Sequence, residues 1–134
     1  MYAFSNKSIS RRTGVDARLV EISDLAIKIC PIDFGIPGDG GLRTSERQQE
    51  LFKKGVSKCD GYKNKSFHQT GLALDVYAYV DGKASWNTEH LAVVAAAMLQ
   101  AASQLGHKLE WGGLWPWDKP HFQLSECYHY KKEG

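Results

Sequence analysis

Residues 66–82 read SFHQTGLALDVYAYVDG, and the second half of this stretch has the alternation of a β-strand. From residue 72 to residue 80 the side chains divide into two faces with a period of two. The apolar face consists of Leu72, Leu74, Val76, Ala78 and Val80, and the other consists of Ala73, Asp75, Tyr77 and Tyr79. The Asp-Gly pair that follows is typical of a hairpin turn. We therefore predict a strand that packs on the core through its aliphatic face and carries Asp75 on the opposite face.

Three segments around this strand have the periodicity of amphipathic helices: residues 16–29, 45–54 and 88–105. The first ends before a proline and the other two before glycines, residues that commonly terminate helices. Ser45 with Gln48 three residues later resembles a capping box at the start of the second helix.

The remaining segments are shorter. Residues 108–111 and 120–124 read as extended segments joined by a tryptophan-rich turn, and residues 32–41 read as a loop or short strand. Because helices and strands alternate without regular βαβ repetition, we predict an α+β fold in which helices flank a small antiparallel sheet. No repeat or proline-rich linker divides the 134 residues, so we expect one domain over 1–134.

Composition excludes several classes of protein. The chain is 43% hydrophobic and 24% charged, an ordinary globular balance, and its net charge of +2 gives no electrostatic reason to expect a nucleic-acid partner. Cys30, Cys59 and Cys127 are odd in number and form no C-x-x-C pair, so neither a zinc ribbon nor a disulfide framework is expected. A reducing cytoplasm is the simpler compartment.

The beginning of the chain, MYAFSNKSISRRTG, lacks the apolar region of a signal peptide. The longest apolar stretch, around residues 92–102, is too short and too interrupted to cross a bilayer. We expect no membrane insertion, and delivery by something other than a signal peptide if the protein acts outside the cytoplasm.

Three side chains match the requirements of a catalytic zinc, which takes three histidine or carboxylate ligands and keeps one position open. A turn at Gly71 would fold His68 back beside Asp75, and His121 on a neighbouring short strand would be the third ligand. Asp118, three residues earlier, would then stand close enough to act as a general base. Spacing alone leaves the plainer alternative open, because isolated histidines and aspartates are more often surface, capping or turn residues.

The other candidate residues have structural interpretations. We place His90 on a helix surface, His107 at a helix C-terminus and His129 in a polar tail. The tryptophans at 111, 115 and 117 suit either a core or the wall of a groove.

The string S-x-H-x-x-G-x-A-x-D resembles the signature of the M15 zinc peptidases. It is met in full by Ser66, His68, Gly71, Ala73 and Asp75. This family includes D-alanyl-D-alanine carboxypeptidases and dipeptidases, and phage endolysins that are L-alanyl-D-glutamate endopeptidases. The later residues resemble its second motif: Trp111-Gly112-Gly113, then Asp118-x-x-His121-Phe122-Gln123. Upstream, Asp33-Phe34, Gly41-Leu42-Arg43-Thr44 and Arg47-Gln48 resemble a segment of the phage members.

The resemblance implies roles for individual residues. His68, Asp75 and His121 match the ligands of Zn²⁺, and Asp118 matches the general base. Arg43 matches an arginine aimed at the substrate carbonyl oxygen, where a guanidinium stabilises an oxyanion. Ser66 matches a position that contacts substrate or orients the motif. The family fold, a Hedgehog/DD-peptidase-like small antiparallel sheet flanked by helices, agrees with the pattern above.

Aspartate rather than glutamate as the base favours the endolysin branch. The leading hypothesis is therefore a phage or prophage endolysin that hydrolyses the L-alanyl-D-glutamate bond of peptidoglycan stem peptides with a zinc-activated water. Such a protein would be a monomer without a separate wall-binding domain, waiting in the host cytoplasm until a holin opens the way to the wall.

Three alternatives stay open at this point. A D-alanyl-D-alanine carboxypeptidase or dipeptidase would need an extra cation for the free carboxylate of its substrate. A catalytically silent wall-binding module would not need Asp118 and Arg43. A cysteine peptidase built on Cys59 is the weakest, because nothing in the sequence marks that thiol as activated.

Overall fold

The computed structural model describes residues 1–57, 59–114 and 118–124. Its α-helices are α1 (Asn6–Arg11), α2 (Ala17–Ile29), α3 (Ser45–Lys53) and α4 (Thr88–Leu105). Two short 3₁₀ helices cover Phe67–Thr70 and Gly112–Leu114. The strands are β1 (Asp33–Gly35), β2 (Ala73–Asp75), β3 (Tyr77–Val80), β4 (Lys83–Ser85), β5 (Leu109–Trp111) and β6 (His121–Leu124). The α+β class is therefore confirmed.

The strands form two antiparallel sheets of three strands each, where the sequence suggested one. One sheet has the order β1-β3-β4 and the other the order β2-β6-β5. The single strand predicted over 72–80 is consequently divided at Val76 between the two sheets. Asp75 N–H donates to the Gly40 carbonyl at 2.8 Å, and Val76 N–H donates to the Pro120 carbonyl at 2.9 Å, which continues the register of β2 with β6 by one residue. From Tyr77 onward the chain pairs with β1 instead.

The predicted hairpin turn after β3 is confirmed. Asp81 and Gly82 have φ values of +54° and +74°, the left-handed pair that a tight two-residue hairpin requires. This turn returns the chain as β4, which pairs antiparallel with β3. The sequence pattern gave no sign of β4 or of helix α1.

The core lies between the pair α2–α4 and the inner faces of the sheets. Helix α4 has the bounds expected from its periodicity, and it ends at Gly106, whose φ of +78° closes the helix. Leu74, Phe122 and Leu124 are fully buried from the sheet containing β2 and β6. Fully burying an aliphatic or phenyl side chain of this kind contributes about 1.5–3 kcal/mol. Asp75 and His121 lie on the opposite face of these strands and are therefore held in place by the core residues that alternate with them.

The helix starts follow side-chain capping. Asp16 caps α2, because its carboxylate accepts the N–H of Arg18. Helix α3 is capped by Thr44, whose hydroxyl accepts the N–H of Arg47, so the capping box expected from Ser45 and Gln48 is wrong. Gln48 is instead fully buried.

Two further expectations concern cysteines and membranes. Cys30 is buried and Cys59 is half-buried, and both are free thiols; Cys127 lies outside the described residues. Among residues 1–57, 59–114 and 118–124, no helix has the length and apolarity needed to cross a bilayer.

Candidate metal centre

His68, Asp75 and His121 converge on one point of the molecule. His68 Nε2 lies 3.2 Å from Asp75 Oδ1 and 3.2 Å from His121 Nδ1, and His121 Nδ1 lies 3.1 Å from Asp75 Oδ1. The three atoms therefore form a nearly equilateral triangle. Both histidines are buried. The residues singled out in the sequence are thus brought together in space.

Register places two corners of this triangle. Asp75 is the last residue of β2 and His121 the first of β6, and they are direct cross-strand partners. Opposed residues of an antiparallel pair have their Cβ atoms about 4.5–5.5 Å apart, so their side chains reach a common point.

His68 reaches the same point through a turn. It lies on the 3₁₀ helix Phe67–Thr70, which begins with a true capping box: the Ser66 hydroxyl accepts the N–H of His68, and Gln69 Oε1 accepts the N–H of Ser66. The helix ends at Gly71, whose φ is +75°. A Cβ on Gly71 would come within 2.5 Å of the Gly14 carbonyl oxygen, so glycine is needed here for both conformation and space.

The outer nitrogens of both imidazoles are engaged. His68 Nδ1 donates to the Gly41 carbonyl at 2.9 Å, which leaves the lone pair of Nε2 facing Asp75 and His121. His121 Nε2 lies 2.9 Å from Gln123 Oε1, with Nδ1 on the inner side. Outer partners of this kind are usual for metal-binding histidines.

The donor set and its spacing fit a tetrahedral metal ion. Bonds of about 2.0–2.1 Å at tetrahedral angles would place ligand atoms about 3.3 Å apart. The observed separations of 3.1–3.2 Å agree with this value. The arrangement is therefore compatible with a metal site.

Asp75 and His121 shift each other's pKa values. Burial by itself would raise the pKa of Asp75, but the charges of His68 and His121 and their hydrogen bonds outweigh it and hold that pKa far below its usual range. Burial would lower the pKa of His121, yet the hydrogen bond and charge of Asp75 raise it. Asp75 is therefore ionised and available as a ligand.

Asp118 lies beside the triangle and outside it. Its Oδ2 is 3.8 Å from His121 Nδ1, and its side chain is 36% exposed. Burial raises the pKa of Asp118; the His121 charge opposes this effect and the negative Asp75 reinforces it. A partly solvated carboxylate next to this triangle is suited to exchanging protons.

Arg43 is held on the far side of Asp75. Its guanidinium donates from Nε to the Asp39 carbonyl at 2.9 Å, from Nη1 to Gln48 Oε1 at 3.1 Å and from Nη2 to Asp75 Oδ2 at 3.3 Å. A guanidinium has five N–H groups. One on each terminal nitrogen therefore has no partner within the described part of the chain.

Sequence reasoning missed Gln48, the residue that orients Arg43. Besides accepting from Arg43, its amide donates to Ser57 Oγ at 2.7 Å and to the Cys59 carbonyl at 2.9 Å. A polar residue whose neighbours lie elsewhere in the chain carries no local signal, and Gln48 looked like a helix-cap residue. Ser66, expected to contact substrate or to orient the motif, has its hydroxyl turned onto the backbone of the His68 helix.

His90 and His107, which were given structural interpretations, are bound to other partners and not to the triangle. His90 bonds to Ser85 Oγ at 2.6 Å, and His107 Nε2 lies 2.7 Å from Glu21 Oε1. Trp111 packs against the core and donates its indole N–H to the Lys119 carbonyl. Trp115, Trp117 and His129 fall outside the described residues.

Comparison with known proteins identifies the family. A family model described as phage L-alanyl-D-glutamate peptidase matches residues 1–125. The chain belongs to this family. The resemblance inferred from the two motifs is thereby confirmed, and in its endopeptidase branch.

Two relatives show how closely this family's members agree with the chain. The L-alanyl-D-glutamate peptidase of Escherichia phage T5 is 32% identical over 115 residues, covering 85% of this chain and 82% of that protein. The crystal structure of Serratia marcescens L-Ala D-Glu endopeptidase ChiX superposes with a TM-score of 0.82 at 34% identity, covering 96% of this chain and 94% of that one. The similarity thus extends over nearly the whole described fold.

Proposed function

We propose that this chain is a phage or prophage endolysin, a zinc endopeptidase that hydrolyses the L-alanyl-D-glutamate bond of peptidoglycan stem peptides. The observation that carries the proposal is the triangle of His68, Asp75 and His121 in a chain of the phage L-alanyl-D-glutamate peptidase family. The names of the phage T5 and Serratia relatives support the same bond.

Zinc is the metal that suits this donor set best. Two imidazole nitrogens and one carboxylate oxygen at tetrahedral spacing are a ligand set of catalytic zinc, which keeps its fourth position for water or substrate. When bound, zinc supplies Lewis-acid polarisation of the scissile carbonyl and makes water a nucleophile near neutral pH. His68, Asp75 and His121 would hold the ion.

Asp118 would take the proton of the attacking water and return it to the departing amine. Its carboxylate lies 3.8 Å from the inner nitrogen of His121, close to the metal point without belonging to it. Its raised pKa, caused mainly by burial, makes it a stronger base than an ordinary aspartate. Peptide hydrolysis needs both proton transfers, and one carboxylate at this position is able to perform them in turn.

Arg43 would stabilise the negative charge that develops on the scissile carbonyl oxygen. Its three hydrogen bonds fix the guanidinium before substrate arrives, and a preorganised donor of this kind needs little rearrangement in the transition state. The same contact with Asp75 Oδ2 leaves Oδ1 of that carboxylate to the metal. Ser66 would serve mainly to orient the His68 helix, with substrate contact as its second role.

The remaining parts of the proposal follow from an endolysin's task. The substrate partner is the stem peptide of the wall, with neither nucleic acid nor membrane insertion involved. The protein would act as a monomer and stay in the host cytoplasm until lysis, when a holin would admit it to the periplasm and wall.

Mass spectrometry of the fragments released from purified peptidoglycan by the zinc-loaded protein tests the proposal. We expect freed peptides with a new N-terminal D-glutamate and L-alanine left on the muramic acid. Asp118→Ala loaded with zinc is the matched control and should release none. Loss of terminal D-alanine instead would identify a carboxypeptidase, and binding to peptidoglycan without any fragments would identify a wall-binding module.

A further inference from the structure

Gln123, the outer partner of His121, is itself held by Glu110, which has no part in the roles assigned above. His121 Nε2 lies 2.9 Å from Gln123 Oε1, and Gln123 Nε2 donates to Glu110 Oε2 at 3.1 Å. We propose that Glu110 and Gln123 are positioning residues that keep a proton on Nε2 of His121 and so reserve Nδ1 for the metal. The inference rests on the proposed function only in that His121 is taken to bind zinc.

The register of the sheet builds this line of side chains. Glu110 on β5 pairs directly with Gln123 on β6, and His121 pairs with Asp75 on β2. His121 and Gln123 are two residues apart and therefore lie on one face of β6. The line of contacting side chains thus runs from His121 along β6 to Gln123 and across to Glu110 on β5.

Burial makes the contacts of Gln123 necessary. Its side chain belongs to a residue that is only 6% exposed, and a buried amide that lacks partners is strongly unfavourable. Within the described residues its oxygen faces His121 and its nitrogen faces Glu110, so both ends are satisfied by this line.

Glu110 determines which end of the Gln123 amide faces His121. An amide side chain is able to turn either its oxygen or its NH₂ group towards a neighbour, whereas an ionised carboxylate only accepts hydrogen bonds. Glu110 therefore holds the NH₂ group of Gln123, and the amide oxygen must face His121. Because that oxygen only accepts, His121 must donate from Nε2, which leaves the lone pair on Nδ1.

In His68 a backbone carbonyl fixes which ring nitrogen carries the proton. Its outer nitrogen donates to the Gly41 carbonyl, an acceptor that is unable to turn around. The two histidines thus differ in their outer partners. His121 is oriented by side chains, which substitution is able to change, and His68 is oriented by the backbone, which substitution leaves in place.

The decisive variant is Glu110→Gln. It keeps the shape of the side chain and removes only the carboxylate that fixes which end of the Gln123 amide faces His121. A neutral amide is able to donate, so Gln123 becomes free to turn its NH₂ group towards His121. We expect zinc affinity, measured by competition with a chelator, to fall by about 10–100-fold, the usual effect of losing an outer partner of a metal-binding histidine. In the zinc-loaded full chain, the Nε2–H signal of His121 in ¹H–¹⁵N spectra should exchange faster with solvent.

Glu21→Gln is a matched control. Glu21 also accepts from a histidine, His107, at 2.7 Å, but on the surface and away from the metal point. This variant should change neither zinc affinity nor the His121 signal. Gln123→Leu, which removes the line altogether, should weaken zinc binding at least as much as Glu110→Gln, and thermal unfolding verifies that each variant is folded.

Two outcomes would overturn the inference. One is a Glu110→Gln variant with unchanged zinc affinity and unchanged exchange of the Nε2–H proton. The other is weaker binding with an unchanged Nε2–H signal, which would reduce Glu110 to a nearby negative charge. Neither measurement uses peptidoglycan, so a failure to cleave the wall would count against the proposed function and leave this inference standing.

Discussion

Asp75 in the triangle and Asp118 beside it have opposite electrostatic surroundings. The charges and hydrogen bonds of His68 and His121 overcome burial and hold the pKa of Asp75 far below its usual range, whereas burial raises that of Asp118. Environments that separate the pKa values of neighbouring carboxyl groups commonly divide their roles. In the proposed function, this division is between Asp75 as a metal ligand and Asp118 as the group that exchanges protons.

Asp118→Asn tests that division at a single residue. The change preserves shape and removes the base, so we expect kcat on a soluble stem peptide to fall by about 10²–10⁴-fold. Zinc affinity should stay within a few-fold of wild type, because the amide leaves all three ligands in place. Asp81→Asn, in a turn whose left-handed backbone asparagine tolerates, is the control and should keep full activity. Unchanged kcat in Asp118→Asn would contradict the assignment.

Residue-level prediction succeeded where the signal was local. Histidine and aspartate at motif spacing marked the three residues that converge in the triangle. Glu110 was out of reach because its contact with Gln123 depends on the pairing of β5 with β6. Gln48 was misjudged because its contacts with Ser57 and Cys59, in the loop that follows α3, leave no pattern in its own helix.

At the scale of elements, the turn at Gly71 sets the position of the His68 helix. Gly71→Ala forces a side chain into a left-handed conformation and against the Gly14 carbonyl oxygen. We expect a loss of more than about 2 kcal/mol in the free energy of unfolding and weaker zinc binding, since left-handed strain alone costs about 1–2 kcal/mol.

Gly82→Ala is the matched control for that loss. Its φ of +74° is nearly the same, but nothing lies within 4 Å of the added Cβ. It should show only the conformational loss, measured by denaturant unfolding, with zinc affinity unchanged. Equal effects of the two substitutions would show that the close approach of Gly71 to Gly14 is unimportant.

The start of α2 gives a pH-dependent prediction. Asp16 accepts from the N–H and guanidinium of Arg18, and the guanidinium hydrogen bond is the main reason that the pKa of Asp16 is lowered. A carboxyl whose folded pKa lies below its unfolded value stabilises the fold above the unfolded pKa. That stabilisation disappears as pH falls through the folded pKa.

Asp16→Ala should therefore lower the free energy of unfolding by about 1 kcal/mol at pH 7. The difference from wild type should shrink as pH falls below about 4. Asp16→Asn keeps a neutral cap and should lose less at pH 7. Urea unfolding across this pH range is the measurement, and a difference that does not depend on pH would contradict the charged cap.

Elements were predicted well where periodicity was long and poorly where it was short. Eighteen residues of helical repeat gave α4 its bounds. The nine-residue alternation over 72–80 was correct in its faces but could not show that the strand changes sheets at Val76, because that change depends on β2 pairing with β6 and β3 pairing with β1. The Ser45 cap was wrong because Thr44, one residue earlier, offers the same hydroxyl.

At the scale of the whole molecule, the proposed metal site joins parts of the chain that are distant in sequence. Its three candidate ligands come from the 3₁₀ helix Phe67–Thr70, from β2 and from β6. An ion bound there would bind the folded chain far more tightly than the unfolded one. Free zinc at 1,000 times its dissociation constant should add about 4 kcal/mol to the free energy of unfolding.

Chelator treatment measures that contribution. We expect the stabilisation to vanish when zinc is removed from the wild type and to return when zinc is restored. His121→Ala should be insensitive to both treatments. Identical denaturant unfolding curves for the wild type with and without zinc would contradict a metal site formed by folding.

The α+β class, both motifs and the family were all accessible from the sequence, since each depends on patterns within short stretches. The arrangement of two sheets around one metal point was not, because it depends on which strands pair. What pairing adds is chemically important: the contact of Arg43 with Asp75, and that of Glu110 with Gln123, appear only in three dimensions.

The zinc K-edge X-ray absorption spectrum of the zinc-loaded chain tests the central claim most directly. We expect one zinc per chain, bound only by nitrogen and oxygen at about 2.0–2.1 Å, with the scattering signature of two imidazoles. His68→Ala should remove one imidazole from that signature. A sulfur ligand at about 2.3 Å, or a shell of oxygens without imidazole, would contradict a centre formed by His68, Asp75 and His121.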